Sequence, residues 1–321
     1  MVAQFDEQME GEAERLDRSP NPPPLPPMIH FVKSGFGRAN NLLLLALLLL
    51  GINVLIALVL VLPLYGILNQ SLGHSLLGQQ SLNEPDYNWL IGFLHTNQRF
   101  LRSLSSTIVW AGLGYMALQS VIAAGVLEVL YAGDRFSLRL FFDGLLRHGW
   151  RFIRLFGLSL VVYFVIFWFF NKLLTEGVWF IGGLDQWTRD WASEAGVFWL
   201  YLLKNVLLGA ALLFVVMVFD YAKISLVLER SGGVVRASAR AFRFVRDRLW
   251  LTLGVFYALG VAGVIVIGVY LGIEVVLPQT SFWLVLVALL WQQLFMFARQ
   301  WLKVALYGAE MELYKQAGLT R

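Results

Sequence analysis

The run LLLLALLLLGINVLIALVLVL, from Leu42 to Leu62, decides the fold class, because it holds no ionisable side chain over a length that matches a bilayer. A helix needs about 20 apolar residues to cross a hydrocarbon core of about 30 Å. Inside lipid each segment must also satisfy its own backbone polar groups. Apolar blocks of similar length recur near 104–131, 152–171, 197–228, 250–272 and 282–306, and the first extends over 42–66. The expected fold is therefore all-α: a polytopic bundle of six transmembrane helices. Composition agrees, with 58% hydrophobic and 14% charged residues, against roughly a quarter charged in soluble domains. Pro63, near the end of the first block, predicts a kink or a stop there.

Before the first block the character is different. Asp6, Glu7, Glu10, Glu12, Glu14 and Asp17 outnumber Arg15 and Arg18, and residues 19–27 read SPNPPPLPP. Such a segment cannot bury a core and favours extended polyproline II backbone. Residues 1–29 are expected to form a disordered acidic and proline-rich cytoplasmic tail, and 30–321 the six-helix transmembrane domain. PPPLPP contains a PxxP pattern, which also fits a docking arm for a partner. The first apolar block is too long and too late for a signal-peptide h-region. With no cysteine, disulfides, thiolate metal sites and Cys nucleophiles drop out together.

Lys and Arg set the orientation. The segment 134–154 carries Arg135, Arg139, Arg147, Arg151 and Arg154 against Asp134 and Asp143. The segment 229–248 carries Arg230, Arg236, Arg240, Arg243, Arg246 and Arg248 against Glu229 and Asp247. The intervening loops are acidic or sparsely charged: Lys172 and Arg189 face Glu176, Asp185, Asp190 and Glu194, and Arg99 faces Glu84 and Asp86. Both basic segments should lie in the cytoplasm with both termini (N-in, C-in), in a bacterial inner membrane.

The two basic segments form a parallel internal repeat. A shift of 99 residues sets Gly133 on Gly232 and Arg147 on Arg246. Each copy follows a span ending in a Glu (Glu128, Glu229) and a glycine suited to a helix C′ position. Glu312 followed by Gly318 has a similar cast and suggests the start of a third copy. In the second copy Arg236, Arg240, Arg243 and Asp247 share one helical face, while Val235, Phe242, Val245 and Leu249 fall on another, the pattern of an interfacial amphipathic helix. Arg135, Arg139, Arg147, Arg151, Arg236, Arg240, Arg243 and Arg246 are accordingly candidates for binding anionic lipid or an acidic partner. The alternative is that they only enforce topology.

The run FDYAKISLVLERSGGVVRASARAFRFVRDRLWLTLG, Phe219 to Gly254, resembles a group of uncharacterised bacterial six-helix membrane proteins. That group is related to the membrane domain attached to some glycerophosphodiester phosphodiesterases. The resemblance rests on Asp220, Lys223, Glu229 and the arginines from Arg236 to Arg248. It implies a fold more than an activity, because the group has no settled activity, and with no hydrolase domain following here the phosphodiesterase chemistry is not expected.

Ionisable groups within spans are the natural functional candidates. Asp220 and Lys223 stand i,i+3 and can pair on one helix face, as a proton or ion site or as a structural pair. Glu128 is the third intramembrane candidate. Further polar residues in spans (Asn53, Gln119, Ser120, Asn205, Gln292, Gln293, Arg299) form no evident transport array. His30, His74, His95 and His148 fall in expected tails or loops without metal spacing, so neither a metal site nor a cofactor is expected. Trp150, Trp250 and Trp301 at inner ends, and Trp168, Trp179, Trp187, Trp191, Trp199 and Trp283 toward the outside, fit interfacial belts. Gly254, Ala258, Ala262, Gly268 and Gly272 read as helix-packing faces.

These features lead to a non-enzymatic inner-membrane protein, an accessory or scaffold subunit or a lipid-interacting component. Its expected partners are anionic membrane lipids and other membrane-protein subunits, with no nucleic acid and no identifiable small-molecule substrate. The alternative is a transporter or permease component built on the Asp220/Lys223 site.

Overall fold

The structure, a computed structural model, describes residues 25–72, 98–133, 135–178, 181–188, 194–229, 233–276 and 281–319. The acidic part of the tail, His74, His95, Glu84, Asp86, Trp179, Arg189, Asp190, Trp191, Arg230 and Gly232 lie outside those residues. The helices are α1 Met28–Asn41, α2 Leu43–Leu72, α3 Gln98–Ala132, α4 Leu138–Trp168, α5 Leu184–Trp187, α6 Glu194–Leu228, α7 Val234–Asp247, α8 Leu249–Val276 and α9 Phe282–Leu319. A π-helical stretch, Phe169–Glu176, continues α4. Among the described residues, strand is limited to the antiparallel pair β1 Gly177–Val178 and β2 Ile181–Gly182.

Among the described residues, five helical segments are long and apolar enough to span a membrane: α3 from Val109, α4 with its π-helical extension, α6, α8 and α9. A sixth span results if α1 and α2, broken at Leu42, are taken as one. The all-α, multi-pass expectation therefore holds, and several boundaries move. Pro63 does not end its helix, because α2 runs through it to Leu72. Within a span, neighbouring groups and local backbone adjustment can re-satisfy the carbonyl that a proline leaves. The first basic segment runs into the third span as one uninterrupted helix, α4. No proline interrupts it, and two of its three glycines, Gly144 and Gly149, lie close to Glu128 and Val121 of α3. By contrast α7 breaks from α8 at Arg248, where φ −131° and ψ 38° leave the helical region. The last helix passes its expected end at 306 by thirteen residues, to Leu319. Its final turns bury Tyr307, Ala309, Met311, Leu313 and Ala317.

The described residues group into two compact units. One comprises the chain up to Leu43 together with everything from Ser120, and the other is Leu44–Gln119. In the second unit, Asn53 of α2 accepts hydrogen bonds from Tyr115 Oη at 3.0 Å and Gln119 Nε2 at 2.7 Å, and donates to the Leu49 carbonyl at 2.9 Å. This joins the two helices of the hairpin through one buried amide, which leaves no polar group of that side chain to lipid.

The first unit depends on a helix that the sequence reading did not anticipate. Phe31, Gly35, Ala39 and Leu42 recur at helical spacing and are buried, which makes α1 amphipathic. It enters from Pro27, whose φ −63° and ψ 154° are polyproline II values. Its apolar face lies against α9. A Cβ on Gly35 would meet the Ala305 carbonyl and stand 2.8 Å from Ala309 Cβ, so the backbones approach as only glycine permits. Phe36 lies tilted against Trp301 at 5.3 Å between ring centroids, and Trp301 Nε1 donates to Asn40 Oδ1 at 3.1 Å. On α8, Gly254 packs against Met28 of α1, as expected of a packing face. Gly268 and Gly272 do not fit that reading, because the space beside each is open. Large apolar side chains such as Leu160, Val161, Val264, Ile265, Leu289 and Leu290 point outward, as bilayer solvation requires.

The close approach at Gly35 yields a matched pair of variants. Gly35→Leu should destabilise the protein by about 1–3 kcal/mol through overpacking. Gly37→Leu, where the space is open, should stay within about 0.5 kcal/mol of wild type. Thermal unfolding in a fixed detergent reads the difference, and equal midpoints for the two variants would refute the packing account.

Candidate functional site

Helix geometry and charge together gather the polar residues at one end of the spans. In α4 the buried side is Phe141, Gly144, His148 and Phe152. A Cβ on Gly144 would stand 2.6 Å from Glu128 Cβ and 3.0 Å from the Ala124 carbonyl. That proximity brings α4 onto the end of α3, and Glu128 then lies 3.8 Å from Arg147 Nη1 and 3.4 Å from His148 Nε2. Reading His148 as a loop histidine was wrong: it is 1% exposed within α4. The helical period, rather than the charge, carries it inward.

In α7 the buried side is Val234, Ala237, Ala241, Phe244 and Val245. Glu229, one residue beyond the end of α6, receives Arg240 Nη2 at 2.6 Å, Tyr314 Oη at 2.8 Å and Ser225 Oγ at 3.2 Å. Phe244 stands between Tyr221 and Tyr314, at 5.1 and 4.8 Å. Arg248 Nη2 donates to the Ala317 carbonyl of α9 at 3.1 Å. At the third position Arg38 of α1 pairs with Glu312 of α9.

Three Arg–Glu latches thus join three amphipathic helical segments to the ends of three spans. Each arginine follows a small buried residue by three positions: Gly35 and Arg38, Gly144 and Arg147, Ala237 and Arg240. The basic residues proposed from sequence divide accordingly. Arg147 and Arg240 engage carboxylates, and Arg151 is only partly exposed. Arg135, Arg139, Arg236, Arg243 and Arg246 are exposed. Arg139 has Asp143 at 4.0 Å and Arg246 has Asp247 at 3.2 Å, both surface pairs. The apolar face read for α7 divides too. Val245 is buried in the protein, whereas Val235 and Phe242 are exposed beside Arg236, Arg243 and Arg246. The expected glycine stop is present at Gly133, whose φ of 125° suits glycine.

Within the bundle the structure brings Asp220 and Lys223 together. Lys223 Nζ donates to Asp220 Oδ1 at 2.7 Å and reaches Tyr307 Oη of α9 at 3.5 Å. The sequence reading offered Gln292, Gln293 and Arg299 of α9 as polar partners and stopped that span at 306, so it missed Tyr307 and Glu310. Lys303, Tyr307 and Glu310 stand at i, i+4 and i+7, a single helical face that could have disclosed them. Glu310 is 0% exposed and lies within electrostatic range of Asp220 and Lys223. Lys303 and Tyr163 of α4 lie within range of the same pair. A second missed lysine, Lys204 of α6, is buried and donates to Thr175 Oγ1 of the π-helical stretch at 3.2 Å. Among the described residues no cluster of carboxylates and histidines could hold a metal ion.

Fold and site define a multi-pass α-helical membrane protein with a latched amphipathic layer at one end of its spans. No family model matches the chain, and neither does any curated protein or solved structure.

The latches differ in burial, and their energies should follow. Arg38 and Glu312 are 20% and 18% exposed, against 36% and 34% for Arg240 and Glu229. Double-mutant cycles to alanine, read by thermal unfolding, should give a coupling of about 2 kcal/mol for the first pair. The second pair should give about 1 kcal/mol or less, because solvent screens it. Additive effects at Arg38 and Glu312 would show that the contact does not join the two helices.

Proposed function

We propose that this protein holds anionic phospholipid at the cytoplasmic surface of a bacterial inner membrane, as a non-enzymatic lipid-interacting component of a membrane assembly. In this reading both termini are cytoplasmic. The chain is three parallel copies of one unit: an amphipathic helix followed by an outward and a returning span. The latch of the last copy closes on the helix of the first, joining Glu312 to Arg38. This arrangement replaces the 99-residue register with 101 residues between Glu128 and Glu229 and 93 between Arg147 and Arg240. Kinship with the membrane domain attached to glycerophosphodiester phosphodiesterases belongs to the same proposal.

The observation that supports the lipid role is the outward face of the amphipathic segments. On α7 and the start of α8, Val235, Phe242 and Trp250 are 70%, 46% and 86% exposed, interleaved with Arg236, Arg243 and Arg246. On α4, exposed Leu138, Phe142, Leu146 and Trp150 repeat every four residues beside Arg139 and Arg154. Apolar groups and guanidinium groups exposed together suit the headgroup boundary, where acyl carbon and phosphate lie within one side-chain length. Water alone would disfavour the first, and the hydrocarbon core the second. The inward-facing arginines orient this surface rather than form it.

Each basic residue at an anionic surface contributes about 1 kcal/mol. Replacing Arg236, Arg243 and Arg246 together by Gln should therefore lower apparent affinity for phosphatidylglycerol by about two orders of magnitude. The measurement is lipid retention by the intact protein in native mass spectrometry, with phosphatidylcholine as the reference lipid. Equal retention of both lipids by wild type, or no loss in the triple variant, would eliminate the proposal.

A further inference from the structure

The latches provide a register in which the three returning spans can be compared, and one residue breaks their pattern. Two positions before the latch carboxylate, α3 has Val126 and α6 has Val227, both 0% exposed. At the same position α9 has Glu310, equally buried. Packing there is met by valine in two spans out of three, so the carboxyl is not needed to fill the space. Neither Glu310 oxygen has a hydrogen-bond partner among the described residues. A buried carboxylate without hydrogen bonds is strongly disfavoured, whereas the neutral acid is tolerated.

We propose that Glu310 is a proton-binding site of the bundle, holding its proton while Lys223 remains bound to Asp220. The surroundings define the site. From α6, Asp220 and Lys223 act on Glu310, and buried Tyr221 lies one residue from Asp220. On α9 itself Tyr307 contacts Lys223, while Lys303 is two turns away and within range of Asp220. Tyr163 of α4 is near the same pair. On α1, which packs over Ala305 and Ala309, Lys33 is exposed and Arg38 is held by Glu312. From the α7 side Tyr314 and Arg240 are engaged by Glu229, and Arg248 reaches the Ala317 carbonyl.

Ionising Glu310 in this arrangement would set two carboxylates beside the Lys223 ammonium, which is already engaged by one of them. Deprotonation therefore requires Lys223 to shift toward Glu310, with the proton leaving to cytoplasmic water. The exchange is a proton-coupled change in the contact between α6 and α9. It balances as one carboxylic acid giving one carboxylate and one proton. The ligand is the proton alone, so the site needs no cavity and does not depend on the lipid-binding proposal.

The test is infrared spectroscopy of the full-length protein in phosphatidylcholine vesicles. At neutral pH the protein should show the C=O band of a protonated carboxyl in an apolar setting. Labelling all glutamates with carbon-13 should move that band, which separates Glu310 from Asp220 without any variant. In Glu310→Gln the band should vanish, and in Asp220→Asn it should persist. A spectrum without a protonated-carboxyl band at neutral pH overturns the proposal. So does a band that ignores the glutamate label or survives Glu310→Gln.

Discussion

The interaction on which the rest of the structure depends is the pairing of a glutamate near the end of a long apolar helix with an arginine on an amphipathic segment. Glu128, Glu229 and Glu312 each stand near the C-terminal end of a long helix or just beyond it, and each meets an arginine on an amphipathic segment. The ion pair alone is too weak to organise a fold where it is half exposed. It acts together with a small residue one turn earlier, which lets the two backbones approach until guanidinium and carboxylate come within reach. Gly35, Gly144 and buried Ala237 supply that approach. Packing and charge therefore meet at the same three places.

This pairing also explains why the amphipathic layer presents the face it does. An arginine held by a carboxylate fixes the rotation of its helix, and residues about half a turn away then point outward. On α7 that rotation buries Phe244 and Val245 and exposes Phe242 and Arg243. In α4, where helix and span are continuous, the same rotation is imposed on the span above it. In α7 and α8 the break at Arg248 separates the two rotations, and the Arg248 bond to the Ala317 carbonyl secures the joint.

The spans were legible because an apolar block of bilayer length has few other uses. Six blocks read from composition alone correspond to the described long helices, and the error lies in their ends. Helix α9 continues to Leu319 because its last turns are packed by protein rather than solvated by lipid, and hydropathy does not distinguish a charged helix that is packed from one that is not. Helix α1 was missed for a related reason: three buried residues in fourteen make a weak signal beside the largely apolar thirty-residue helix that follows. In the candidate site the pair Asp220 and Lys223 was legible, since both residues lie on one helix at i,i+3. Glu310 was not, because its proximity to them depends on how α6 and α9 cross. His148 was misread as a loop residue because the helical period that carries it inward was not followed there.

The absence of native cysteine makes the central claim open to direct measurement. Single spin labels placed at 235, 239 and 242 on the outward face of α7, and at 237 and 241 on the buried face, can be compared for accessibility to oxygen and to a water-soluble nickel chelate in anionic nanodiscs. The account predicts mobile labels at 235 and 242 with oxygen accessibility of the headgroup boundary, and immobilised labels shielded from both reagents at 237 and 241. Equal access of the nickel chelate to all five positions would place α7 free in water and contradict the latched interfacial helix.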